Sequence, residues 1–220
     1  MAEWIIYITE ILGTIAFSAS GAIIGIQRRL DLFGIIFISV ITSFGGGIIR
    51  DIVLGHFPPR MFYSFMLLAL AVAVSIIVFA VSAFNNGKGK KHGRVFDFIK
   101  NLIDAVGLAA FSVAGVQITL ASGYAHNAVL CVLMGMMTGV GGGILRDMMT
   151  RSIPYVLIKH VYALASLSGS LLFYLLIIWG ANETVSSFVV IGFIVLVRVL
   201  AAEYKWSLPR INPVEDEKKE

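Results

Sequence analysis

Charge is scarce in this chain. Of 220 residues only 14% are Asp, Glu, Lys or Arg, 58% are apolar, and the mean hydropathy is +0.90. A soluble globular domain carries about a quarter charged residues, so that class is excluded. Cysteine occurs once, at Cys131 in the middle of an apolar run, which rules out an intramolecular disulfide and favours a packing role. Histidine occurs four times, at His56, His92, His126 and His160, never at a metal-ligand spacing such as H-x-x-x-H, so no metal centre or other cofactor is called for. Neither Ser18 nor Ser112 has a histidine to act as its base, and no glycine run ends in Gly-Lys-Ser/Thr. Hydrolase and nucleotide-phosphate readings therefore find no support, and the chain reads as a protein other than an enzyme.

What is abundant is long apolar sequence. Runs of about 20 residues match the length a helix needs to cross some 30 Å of hydrocarbon, whereas a barrel would show alternating ten-residue strands. Spans are expected near 4–26, 33–52, 60–83, 101–122, 126–149, 156–179 and 184–204, making an all-α integral membrane protein of seven transmembrane helices. Met1-Ala2-Glu3-Trp4 lacks the basic start of a signal peptide, so the first span reads as retained.

Alternate connections carry unequal charge. One side holds Arg28, Arg29, Lys88, Lys90, Lys91, Arg94, Lys100, Arg146, Arg151, Lys159, Arg198, Lys205, Arg210, Lys218 and Lys219; the other holds only Arg50 and Arg60. The positive-inside rule then puts the N-terminus outside and the C-terminus in the cytoplasm. The net charge of +4 is thus a topology signal, with no nucleic-acid partner implied. The basic loop within 85–100 sets orientation and can touch anionic membrane lipids. Residues 206–220 are polar and mixed in charge, which predicts a disordered tail.

The chain is written twice. Gly45-Gly46-Gly47-Ile48-Ile49-Arg50-Asp51 returns as Gly141-Gly142-Gly143-Ile144-Leu145-Arg146-Asp147. Glu10-x-x-Gly13-x-x-Ala16-Phe17-Ser18-x-x-Gly21 returns as Asp104-x-x-Gly107-x-x-Ala110-Phe111-Ser112-x-x-Gly115, and Pro58 returns as Pro154. Residues 1–84 and 101–180 are therefore two three-helix repeats, with 181–205 an appended seventh helix. Three is odd, so the second repeat enters the membrane from the opposite face. Inverted repeats of this kind place a transport pathway at their interface near the midplane.

The duplicated polar residues are the candidate site. Each glycine costs about 1 kcal/mol relative to alanine in a helix, so Gly45 to Gly47 and Gly141 to Gly143 are expected to hinge the second and fifth helices by kinking or unwinding them. Carbonyls freed there would have to face protein or a wet cavity, where they could replace part of a cation's hydration. Close helix packing is the competing use of such glycines. Thr42, Ser43 and Thr138 precede the triplets and could line the constriction or satisfy backbone. Arg50, Asp51, Arg146 and Asp147 follow them. Neighbours at i,i+1 do not face each other on a helix, so each Arg-Asp dipeptide is not expected to pair with itself. Topology suggests instead Glu10 with Arg50 toward the outer face and Asp104 with Arg146 toward the inner one, bracing or gating the two mouths.

The doubled Gly-Gly-Gly-x-x-Arg-Asp in a three-plus-three-plus-one arrangement resembles the prokaryotic branch of the trimeric intracellular cation (TRIC) channels, over residues 5 to 204. The resemblance implies a homotrimer with a pore in each protomer, second and fifth helices bent at the triplets, and permeation by monovalent cations, K⁺ and Na⁺, in a prokaryotic plasma membrane. Animal members bind a phosphoinositide through Lys-Glu-Val, a tripeptide this sequence lacks. Proteins with the same doubled motif are also grouped as glycine transporters, so a carrier of small neutral amino acids working by alternating access stands as the alternative.

Overall fold

The computed structural model describes residues 3–85, 93–158, 161–204 and 206, all helical or in short connections, with no strand among them. Seven helices are long and apolar enough to cross a membrane. They are α1 (Glu3–Gln27), α2 (Leu32–Val53), α3 (Phe65–Asn85), α4 (Arg94–Thr119), α5 (Ala128–Met149), α6 (Val161–Ile178) and α7 (Glu183–Glu203). Local chemistry fixes several starts. The side chains of Asp31, Asn127 and Asn182 accept from the backbone N–H groups of Gly34, Leu130 and Val185 at 2.7, 3.0 and 3.1 Å, each satisfying a donor that a helix N-terminus leaves open.

Three boundaries differ from those read in the sequence. The third span begins at Phe65 rather than 60, because Pro58 and Pro59 lead into a separate 3₁₀ turn, Arg60–Tyr63. The sixth begins at Val161 after a one-turn helix, Tyr155–Ile158. The fourth begins at Arg94, so half of the expected basic loop is helix, and it continues as a wider turn, Leu120–Tyr124, where Gly123 takes φ +90°. The lysines at 88, 90 and 91 and nearly all of the expected tail lie outside the described residues.

The repeats pack on each other through equivalent helices, α1 on α4 and α2 on α5. Phe17 and Phe111, equivalent positions, meet across the junction with ring centroids 5.3 Å apart and planes tilted by 51°. Gly13 leaves room for the Phe111 ring and Gly107 for the Phe17 ring. This exchange joins the two inverted repeats into one core, and α7 is added to it against α4 and α6. One end of the bundle carries Glu10, Arg50 and the 3₁₀ turn. The opposite end carries Asp104, Arg146 and the one-turn helix.

Candidate functional site

Both triplets lie inside uninterrupted helices, so the expected unwinding at the glycines is not what they provide. They let α2 and α5 cross in near contact instead. A methyl group added to Gly46 would land on the Thr138 carbonyl, and one added to Gly142 on the Thr42 carbonyl. Gly45 and Gly141 face the same crossing, against Leu145 and the Gly46 backbone respectively. The third glycine of each triplet does something else. Gly47 and Gly143 look toward the guanidinium of the arginine three residues on, with Nη2 of Arg50 and Arg146 at 3.6 and 3.7 Å from where a Cβ would stand. Three glycines in a row thus serve two neighbours, the opposing helix and the protein's own arginine.

Each arginine folds back and pairs with the residue beside it, contrary to the sequence expectation. Arg50 donates through Nε and Nη2 to Oδ1 of Asp51 at 2.9 and 2.7 Å, and Arg146 donates through Nε to Oδ1 of Asp147 at 2.9 Å. Side chains at i,i+1 diverge by about 100° on a helix, but a long arginine can turn back far enough to reach its neighbour. The second carboxylate oxygen of each aspartate accepts from the returning backbone: Asp51 from the Arg60 N–H at 2.9 Å, Asp147 from the Tyr155 N–H at 2.8 Å. Each Arg-Asp pair therefore pins the connection that leads into the next span.

The two ends then diverge. At one, Arg146 Nη1 donates to Oδ1 of Asp104 at 2.8 Å, as the sequence symmetry suggests, and the Ser20 hydroxyl donates to the same oxygen at 3.1 Å. Arg198 of α7 brings a second guanidinium to 4.0 Å from Oδ2 and lies over the Tyr162 ring at 4.5 Å. These groups are buried, and two arginines face two carboxylates in a closed, balanced cluster.

At the other end the expected Glu10–Arg50 ion pair is not formed: among the described residues no salt bridge joins Glu10 to any base. Glu10 sits in the field of Arg60 and Arg50 and faces a cavity of about 30 Å³. Thr14, Ser43, Gly47, Arg50, Asp51 and Thr138 also line it. The Thr14 hydroxyl is buried there without a hydrogen-bond partner. Ser43 makes one long bond, 3.3 Å to the Thr14 carbonyl. Thr42 does not reach the cavity; its hydroxyl, like that of Thr138, donates to the carbonyl four residues back at 2.6 Å.

Sequence reading missed Thr14, Ser20, Tyr162 and Arg198. The signal was present in the repeat itself: Thr14 stands where the second repeat has Leu108, Ser43 where it has Gly139, and Ser20 where it has Ala114. Those departures from symmetry mark the hydroxyls that make the ends unlike. Arg198 was counted only as a topology charge, although an intramembrane arginine is a functional candidate by default.

Comparison with known proteins covers nearly the whole chain. The profile of a family described as "Glycine transporter" matches residues 7–83 and again 101–177, one copy per repeat. The UPF0126 membrane protein YvgT of Bacillus subtilis is 31% identical over 200 residues, 91% of this chain and 93% of that one. The UPF0126 inner membrane protein YadS of Escherichia coli K12 is 29% identical over 204 residues, 93% and 94% of the two chains. Among solved structures, a prokaryotic TRIC channel crystallised in 0.5 M KCl superposes with a TM-score of 0.83 at 33% identity, covering 94% of this chain and 100% of that one. A TRIC orthologue from Rhodobacter sphaeroides gives 0.81 at 25% identity, covering 91% and 98%.

Proposed function

The chain belongs to the family that unites the UPF0126 membrane proteins with the prokaryotic TRIC channels, and from that premise we propose that it passes monovalent cations, K⁺ and Na⁺, down their gradients. The pore lies within each protomer of a homotrimer in a prokaryotic plasma membrane. The Glu10 end faces outside and the Asp104 end the cytoplasm, as the distribution of Lys and Arg favours.

One observation supports the reading above the rest: a carboxylate without an ion-pair partner, Glu10, faces a cavity walled by Thr14, Ser43 and Thr138, next to the α2–α5 crossing. Oxygen ligands without a tight partner are what a partly dehydrated cation needs. Arg50, awkward for a cation pathway by itself, is neutralised through its two bonds to Asp51. The opposite mouth is closed by Asp104, Arg146 and Arg198, so the arrangement corresponds to a pathway open to the outside at one end and shut at the other.

A second reading, a glycine carrier, draws on the family description and on Arg50 and Glu10 facing one cavity, as a zwitterion would require. Size favours the ion. A cavity needs about 10–15 Å³ of such space for each water, so some 30 Å³ holds a bare monovalent ion or about two waters, and an amino acid would need the walls to move. K⁺ currents in planar bilayers and uptake of labelled glycine in liposomes from one preparation separate the two. Unitary currents reversing at the K⁺ equilibrium potential, without saturable glycine uptake, establish the channel; saturable uptake without unitary currents establishes the carrier.

A further inference from the structure

Arg198 is a buried charge with no equivalent in either repeat, because it comes from the appended helix. It is 3% exposed and its Nε has no hydrogen-bond partner among the described residues. Its guanidinium stands 4.0 Å from Oδ2 of Asp104, lies 4.5 Å from the Tyr162 ring centroid and 5.6 Å from that of Tyr155. Arg146 and Ser20 both bond Oδ1 of Asp104, at 2.8 and 3.1 Å, and Arg146 pairs with Asp147 besides. Arg198 reaches only the other oxygen, and at 4.0 Å, and an arginine with an unbonded donor is costly to bury.

Position gives it a use. The described residues of α4 and α7 form a cavity of about 640 Å³ at the Asp104 end, lined by Asp97, Asn101, Leu102, Val199, Glu203 and Arg198 among others. Arg198 lines this cavity and also reaches the buried Asp104 cluster, so it stands between them. With Arg198 in place the cluster holds two positive groups, Arg146 and Arg198, against two negative ones, Asp104 and Asp147. Without its charge one negative charge remains uncompensated at the mouth.

We infer that Arg198 is a gating residue of the cytoplasmic mouth: its fixed charge on the appended helix cancels the Asp104 field and keeps cations in the α4–α7 cavity from entering the pathway. The inference rests on the channel reading and deepens it. The seventh helix then has a role that symmetry alone does not give it, whereas at the Glu10 end the added cation, Arg60, comes from the 3₁₀ turn. Movement of α7 away from Tyr162 would expose the carboxylate and admit the ion.

The test is K⁺ current through the full chain in planar bilayers, comparing parent, Arg198→Gln, Arg198→Met and Arg198→Lys at 0.1 M and 1 M KCl on the cytoplasmic side. A fixed charge acts over about 10 Å at 0.1 M and about 3 Å at 1 M. Gln and Met are expected to raise the current by about threefold or more at 0.1 M through the local cation concentration, with the gain shrinking at 1 M, and Lys to stay near the parent. Met keeps the length of the side chain without a polar group, so one neutral variant remains should Gln not assemble. Neutral variants that carry the parent current at both salts, a Lys variant that rises with them, or loss of current in both neutral variants while Lys keeps it, overturns the gate. Silence of the parent and all variants overturns the channel reading and this inference with it.

Discussion

Arg146 holds Asp104 through a buried 2.8 Å bond, and the equivalent pair at the other end of the bundle, Arg50 and Glu10, forms no ion pair. Two inverted copies of one sequence thus produce unlike ends. The difference traces to a few positions where the copies diverge, and each can be tested.

Asp104→Asn leaves Arg146 with one carboxylate and Arg198 with none. Breaking a buried pair by removing one partner costs about 3–5 kcal/mol, so a large drop in thermal stability in detergent is expected. Restoring the balance with Asp104→Asn in an Arg198→Met background should recover part of that loss. No recovery would mean that Arg198 does not feel Asp104.

The glycines are not interchangeable. Gly46→Ala and Gly142→Ala each drive a methyl into a carbonyl of the opposing helix, and overpacking of this kind costs about 1–3 kcal/mol. Gly47→Ala meets only the flexible end of Arg50 at 3.6 Å and should be near neutral, while Gly192→Ala in α7 has nothing within 4 Å and gains helix propensity of up to about 1 kcal/mol. Melting temperatures of the four variants check the order. Equal losses at Gly46 and Gly47 would contradict this division of roles between the glycines.

Thr14→Val replaces a buried hydroxyl that bonds to nothing with a methyl of the same shape. Stability should hold or rise, since no bond is lost, while K⁺ conductance falls because an oxygen leaves the cavity. A stability loss of about 1 kcal/mol with conductance intact would assign the hydroxyl to folding.

The polar ladder Thr9–Gln117–Ser187 ties α1, α4 and α7 near the Glu10 end. Gln117 accepts from Thr9 at 3.1 Å and its Nε2 stands 3.2 Å from the Ser187 hydroxyl. Gln117→Leu removes these bonds while the Thr9 and Ser187 hydroxyls keep their own to the Ile6 and Glu183 carbonyls, so a cost of about 1 kcal/mol is expected. Chemical denaturation checks it, with a neutral result arguing that water reaches the ladder.

The architecture was legible in the sequence because its signals are long and repeated: apolar runs of span length and a doubled motif. The Asp104–Arg146 pair followed from symmetry for the same reason. Symmetry also misled, at Glu10. The partners that hold Asp104, Ser20 and Arg198, have Ala114 and nothing as their counterparts, and a pattern search that rewards matches passes over such differences. The Arg50–Asp51 and Arg146–Asp147 pairs were set aside by a rule about helix faces, but an arginine side chain is long enough to bridge that divergence. The triplets read as weak points because propensity counts each glycine alone, whereas the cost is offset where two helices meet at backbone distance.

The most direct measurement is the unitary K⁺ conductance of Glu10→Gln against the parent, with KCl at 0.1 M and 1 M on the outer side. Glu10 is the carboxylate of this cavity without an ion-pair partner, so the variant is expected to conduct several-fold less at 0.1 M and to approach the parent at 1 M, where a fixed charge is screened within about 3 Å. A variant that conducts like the parent at 0.1 M would contradict the assignment of this cavity to the cation pathway.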